Sequence, residues 1–145
     1  MNQFNLRVYG FIINDNQELL LSDEYEFGTF FTKFPGGGVE HGEGILDALK
    51  RELKEELNVE VRLSECLYFN EFYQESQFHA KTQVTCFYYL VQCDTISHLG
   101  KEKYLIPFHE PQEKQRWKKI TELNSVDLSF PIDQKALEEL KRKIN

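Results

Sequence analysis

The stretch that most constrains this chain runs from Phe34 to Val59, FPGGGVEHGEGILDALKRELKEELNV, where a glycine-rich turn passes into a helix loaded with glutamates. Gly36-Gly37-Gly38 after Pro35 carries no Cβ, so its backbone accepts positive φ and lets another group come close, which predicts a loop. From Glu43 onward the pattern turns helical. Leu46, Leu49, Leu53 and Leu57 recur at three- and four-residue steps and form one apolar stripe facing a core. At about 100° per residue, Glu52, Glu55 and Glu56 share one edge of that helix, within an arc of roughly 100°. Carboxylates at such spacing repel one another by a few tenths of a kcal/mol per pair, so they need a cation or simple solvation. Lys50, Arg51 and Lys54 fit an ordinary solvated face, and the helix alone favours that reading.

Spacing reverses the preference. Gly37, five residues, Glu43, seven residues, then Arg51-Glu52-Leu53-Lys54-Glu55-Glu56 and Leu57-Asn58-Val59 resembles the signature of the Nudix hydrolases, G-x5-E-x7-R-E-U-x-E-E-x-G-U with U aliphatic. Eight of its nine specified positions match. Asn58 stands where the family has glycine, at a left-handed residue just past the helix, and asparagine is the best substitute there. The resemblance implies hydrolysis of a nucleoside diphosphate linked to another moiety, a nucleoside triphosphate or a nucleotide sugar, with Mg2+ or Mn2+ as cofactor. The residues suit that chemistry, because magnesium takes oxygen ligands and a diphosphate entering an acidic site needs its charge neutralised. Carried over by position, Glu55 and Glu56 are the principal metal ligands, Glu52 is a further ligand or the general base, and the Gly36 carbonyl reaches the ion. Arg51 and Glu43 act mainly as supports, Arg51 by pairing with Glu55 and Glu43 by lying in the first helical turn. The alternative is a Nudix-fold module that senses a nucleotide or sugar nucleotide without cleaving it. An intact set of Arg51, Glu52, Glu55 and Glu56 favours the enzyme. Relatives that cleave ADP-ribose tend to carry a proline about fifteen residues beyond the motif, where this chain has Gln74, so the substrate stays open.

With 145 residues, the chain is sized for one domain spanning 1–145. Its 12 Phe and 7 Tyr argue for a packed core, and its net charge of −7 leaves no basic footprint for a nucleic-acid polymer. The segment MNQFNLRVYGFIIND has neither a signal-peptide layout nor the ~20 apolar residues of a membrane span, which predicts a soluble cytoplasmic protein without a membrane partner. Cys66, Cys86 and Cys93 are odd in number and lack C-x-x-C spacing, so reduced buried thiols are expected. Oligomeric state is open, a homodimer included.

Arg7 to Ile13 and Glu18 to Ser22 flank the turn signal Asn14-Asp15-Asn16 and read as a hairpin. Phe30, Phe31 and Phe34 approach the glycine turn as half-buried strand packing rather than as a base-stacking surface. Val59 to Tyr73 and Lys81 to Cys93 form an antiparallel pair, and the second, apolar on both faces, is a central strand. His79 is a loop or edge residue. Asp94 to Gln112 holds Gly100, Pro107 and Pro111 without sustained period, a long connection expected near the site. A short strand around Trp117 and an amphipathic helix from Pro131 to Ile144, its stripe Ala136, Leu137, Leu140 and Ile144, close the chain. This order matches an α/β fold of the Nudix α/β/α sandwich type with a mixed β-sheet. Because many Nudix enzymes add a carboxylate from outside the motif, Glu113 is the candidate for the base, giving a catalytic set of Glu52, Arg51 and Glu113. Glu110 and Glu102 are the runners-up.

Overall fold

The computed structural model describes residues 1–144. Seven strands and two helices follow one another: β1 (Gln3–Ile12), β2 (Glu18–Glu26), β3 (Thr29–Lys33), β4 (Gly36–Gly38), α1 (Ile45–Leu57), β5 (Val61–Phe69), β6 (Thr82–Cys93), β7 (Gln112–Lys119) and, after two 3-10 turns, α2 (Pro131–Ile144). A four-stranded mixed sheet has the order β4-β1-β6-β5, and a three-stranded antiparallel sheet the order β3-β2-β7. β1 and β6 run parallel, from Gln3 opposite Thr82 to Ile12 opposite Val91.

Alternation along the strands divides the core in two. Val8, Ile12, Leu20 and Val91 pack with Ala48, Leu49, Leu53 and Leu57 of α1. Tyr9, Phe11, Leu19, Leu21 and Tyr88 pack instead with Ile132, Ala136, Leu137 and Leu140 of α2. Helices therefore cover opposite faces, the α/β/α arrangement. β6 is central, as its two apolar faces require.

Several local expectations need correction. The Asn14 turn forms, with its Oδ1 accepting the Asn16 and Glu18 N–H groups. The strands it joins nevertheless part into different sheets after a single bridge between Ile13 and Leu19. A two-stranded hairpin could not bury Leu19, Leu20 and Leu21 on both faces; β2 does so as the middle strand of its own sheet, with Leu20 in the core beside α1 and Leu19 and Leu21 in the core beside α2. Gly36–Gly38 is an edge strand of the larger sheet rather than a loop, with Gly36 opposite Tyr9 and Gly38 opposite Arg7. Helix α1 starts at Ile45, so Glu43 lies before it and outside the first turn. Leu46 is only partly buried, and Ala48 takes its place in the stripe. In α2 the buried face is Ile132, Asp133, Ala136, Leu137 and Leu140, while Ile144 is exposed. All three cysteines are free, but Cys66 is exposed rather than buried. His79 sits on an exposed loop, edge-on to Phe27.

Past α1, Asn58 is left-handed at φ 55, ψ 46, with its N–H on the Lys54 carbonyl at 3.1 Å. Glycine reaches that conformation without steric cost, so Asn58→Gly should leave stability unchanged or raise it by up to about 1 kcal/mol. A clear drop in Tm would mean that the asparagine side chain, and not its backbone angle, holds the helix end.

Candidate active site

Arg51 gathers the acidic helix and the glycine strand around one guanidinium. It grips Glu43 as a fork, Nε to Oε2 at 3.0 Å and Nη2 to Oε1 at 2.6 Å, and this pulls the Glu43 carboxyl down to about 2. Nη2 also donates to the Gly38 carbonyl at 3.1 Å, and Nη1 to Glu52 at 3.0 Å and Glu55 at 3.4 Å. Glu43 thus supports the site through Arg51 and not through the helix dipole. The pairing of Arg51 with Glu55 occurs as expected, but it is the longest of these contacts.

Glu52 lies directly over Gly37. A Cβ on Gly37 would stand 2.6 Å from the Glu52 carboxyl carbon, so only glycine lets that carboxylate settle against the backbone. Next to it, the Glu56 carboxyl is pushed well above the usual carboxylate range by desolvation, by its hydrogen bond with Glu52 and by the charge of Glu113, against the pull of the Lys33 ammonium. Glu113 is raised as well, by desolvation and by Glu24, although it hydrogen-bonds Glu56. Both residues are nonetheless exposed to solvent. Glu55 turns outward with 62% of its side chain accessible. Glu102 pairs with Lys114 at 2.7 Å, and both it and Glu110 are exposed. The structure therefore brings Glu52, Glu56 and Glu113 together and leaves Glu55, Glu102 and Glu110 outside that group.

Two further residues belong to this place and went unnoticed in the sequence. In the three-stranded sheet Glu24 stands opposite Glu113, and Ser22 opposite Lys33, so pleating puts all four on one face. Lys33 is 5% exposed, with Nζ 2.8 Å from Glu24 and close to the carbonyls of Phe34 (3.3 Å) and Gly36 (3.4 Å). Burial alone would lower its pKa, but Glu24, Tyr9 and Glu56 together outweigh that and hold Lys33 protonated. The long connection behaves differently from expectation. Tyr104 reaches Asp23 at 2.6 Å on the other face of β2, and only the start of β7, at Glu113, approaches the carboxylates.

Among the described residues no three His, Cys, Asp or Glu side chains already surround a common point as ligands. The donor set nevertheless suits a hard divalent cation. It is all oxygen, it is crowded enough to raise two of its carboxyls, and it lies on a backbone free of Cβ atoms where a carbonyl can join.

Comparison with known proteins follows the same lines. A family model described as NUDIX domain matches residues 3–140. No curated protein matches the sequence. Among solved structures, the NUDIX hydrolase from Nitrosomonas europaea superposes with a TM-score of 0.71 at 20% identity, covering 96% of this chain and 89% of that one. The E. coli ORF135 protein gives 0.69 at 23%, covering 97% and 91%. An ADP compounds hydrolase gives 0.68 at 21%, covering 97% and 72%. At such identities these likenesses establish the fold.

Two measurements probe the cluster. Glu56 keeps its proton to higher pH in the fold than in the unfolded chain, so the stability it confers is complete below about 4.5 and is lost as pH rises. Glu113 and the buried Asp133 are raised too and act in the same direction. In chelator, Tm should fall as pH rises from about 5 toward about 10, and Glu56→Gln should flatten the decline. An equal slope in the variant would remove Glu56 from the crowded group. Gly37→Ala should fold, since the atom it meets ends a flexible side chain, yet displace Glu52 and cut turnover by ~10-fold or more.

Proposed function

The chain belongs to the NUDIX domain family, whose model its residues 3–140 match, and from that premise we propose that it is a pyrophosphohydrolase. With magnesium or manganese bound, it hydrolyses the diphosphate linkage of a nucleoside diphosphate joined to a further group, of the nucleoside triphosphate or nucleotide sugar type. The whole span 1–145 serves as one domain for this reaction. The observation that carries the reading is the meeting of Glu52 and Glu56 from α1 with Glu113 from β7 beside the glycine strand.

Glu52, Glu56 and the Gly36 carbonyl would hold the cation, with Glu55 joining them when it leaves Arg51. The bound cation would neutralise the diphosphate, polarise a phosphoryl oxygen and acidify the attacking water. Glu113 is the residue we assign to take the proton from that water, because its carboxyl borders the cluster without belonging to the helix; Glu52 is the other candidate. Arg51 is a positioning residue that fixes Glu52 against Gly37 and ties the helix to β4. Lys33 holds the strand between Phe34 and Gly36 in place and adds one positive charge beside an approaching phosphate.

A panel of nucleotides and nucleotide sugars with magnesium, run in heavy-oxygen water with products weighed by mass spectrometry, identifies the substrate and the phosphorus attacked. Glu52→Gln and Glu56→Gln should each lower kcat by about 100-fold or more with the fold retained. Glu113→Gln should cost ~100-fold in kcat with little change in KM if it is the base. Tight nucleotide binding without turnover across the panel would replace the enzyme by a sensing module. Full turnover in the Glu113 variant would pass the base role to Glu52.

A further inference from the structure

Helix α1 lies over β1 and β4, and α2 packs on the opposite side of the larger sheet. Among the described residues this leaves the α1 side of β6, β5 and the start of β1 without a helix over it. Pleating carries the side of Val8 and Ile12, which pack on α1, back to Phe4 and Leu6, and across β6 to Phe87 and Tyr89. Phe69 stands opposite Phe87 and Cys66 opposite Tyr89, so the face continues onto β5. It is contiguous. The Phe69 and Phe87 ring centroids lie 5.6 Å apart, and Leu6 is opposite Thr85, one pleat from Phe87. Phe4 is 80% exposed, Phe69 47% and Leu6 41%; Cys66 is exposed and Phe87 and Tyr89 are half-buried.

Two ordinary explanations do not cover this surface. Single apolar side chains at a protein surface need no partner, but these six adjoin one another. An open edge strand is a hazard of a different kind, and β5 is guarded against it. Its pairing with β6 is irregular between Val61 and Leu63 and again between Cys66 and Tyr68, and Arg62 and Glu65 form ion pairs with Asp94 and Lys143. The edge is blunted while the face is left bare.

Charge and area narrow the occupant. None of the six residues is charged, in a chain of net charge −7. An anionic lipid surface attracts basic clusters, and this face offers none. A second copy of the chain meets the opposite condition, because two acidic protomers approach with least repulsion where neither carries charge. The six side chains leave on the order of 500 Å² uncovered, at the upper end for one apolar patch on a monomer. Two such faces laid together hide about 1,000 Å², the threshold of a specific interface.

We propose that this face is where two copies of the chain meet, the α1 side of β1, β6 and β5 on one protomer laid against the same side of its partner about a twofold axis. The contact is sheet on sheet, with Phe4 and Phe69 as the anchors. It is independent of the catalytic reading above.

Sedimentation equilibrium in reductant, over about 1 to about 300 µM protein, tests it; a contact of this size should give a dimer with Kd of about 1–100 µM. Phe4→Glu and Phe69→Lys each set like charges facing each other across the twofold and should weaken the dimer at least ~10-fold with unchanged circular dichroism. Val126→Glu, at a side chain 87% exposed on a 3-10 turn outside this face, should leave Kd within about twofold. Alkylation of Cys66, followed by peptide mass spectrometry, should slow several-fold from the lowest to the highest concentration in the wild type and not in Phe4→Glu. A wild type that stays monomeric to about 300 µM overturns the proposal, whether or not it sediments with phosphatidylcholine–phosphatidylserine vesicles; if it does, the face belongs to a lipid surface. A dimer that neither Phe4→Glu nor Phe69→Lys weakens, or one in which Cys66 reacts at the monomer's rate, overturns it as well. Should one of the two variants fail to fold, the other and the Cys66 rate decide.

Discussion

Everything at the acidic site depends on how closely β4 lies against β1. Gly36 sits at φ +144, and a Cβ there would fall 2.1 Å from the Val8 carbonyl oxygen, far inside contact distance. No side chain fits, so the strand pairing and the glycine are one constraint. From that fixed strand follow the Gly36 carbonyl beside Lys33, the bare Gly37 surface under Glu52 and the Gly38 carbonyl that accepts Arg51. Helix α1 is held by its leucines on the core side and by Arg51 on the strand side. The carboxylates are thus positioned by backbone closeness before any of them makes a contact of its own.

What could be read in the sequence was local and periodic. Leu49, Leu53 and Leu57 gave the buried stripe by their spacing, and Asn58 gave the left-handed end of the helix because few residues other than glycine tolerate it. The fixed gaps from Gly37 to Val59 brought Arg51 and the glutamates into view together. What stayed hidden depends on pairing between distant segments. Lys33 reads as a surface residue, and only the β2–β3 register places it opposite Ser22 and within reach of Glu24. Glu24 and Glu113 face each other across β2 and β7 although 89 positions separate them, and no periodicity encodes that. Asp133 reads as an ordinary acid at a helix start until Tyr88 is seen to occupy one of its oxygens. The turn at Asn14 was legible, but the destination of the strands was not, since it depended on which partners could cover three consecutive buried leucines.

Asp23 shows a different use of a buried charge, on the opposite face of β2 from Glu24. Fully buried, it accepts from Thr32 at 2.6 Å, from Tyr104 at 2.6 Å and from Arg116 at 2.7 and 3.3 Å. Paired and hydrogen-bonded in this way, the carboxylate is a geometric clamp more than a source of net stability. It explains why an irregular segment lies where it does: Tyr104 and Arg116 bracket the connection from residue 105 to residue 111, and both end on one side chain of β2. The entrance of β7, and with it Glu113, inherits its position from this clamp.

The parallel partnership of β1 and β6 has a bearing on how the molecule comes into being. On a growing chain β1 can pair with the glycine strand once residue 38 is made, but its other edge has no mate until residues 82 to 93 have emerged. Throughout that interval a strand carrying Val8, Phe11 and Ile12 keeps one row of backbone groups open, a template for pairing with a neighbouring nascent chain. The central position that makes β1 a foundation of the finished sheet also leaves it open on one edge until β6 has emerged, so synthesis rate and chaperone supply bear on the yield of this protein.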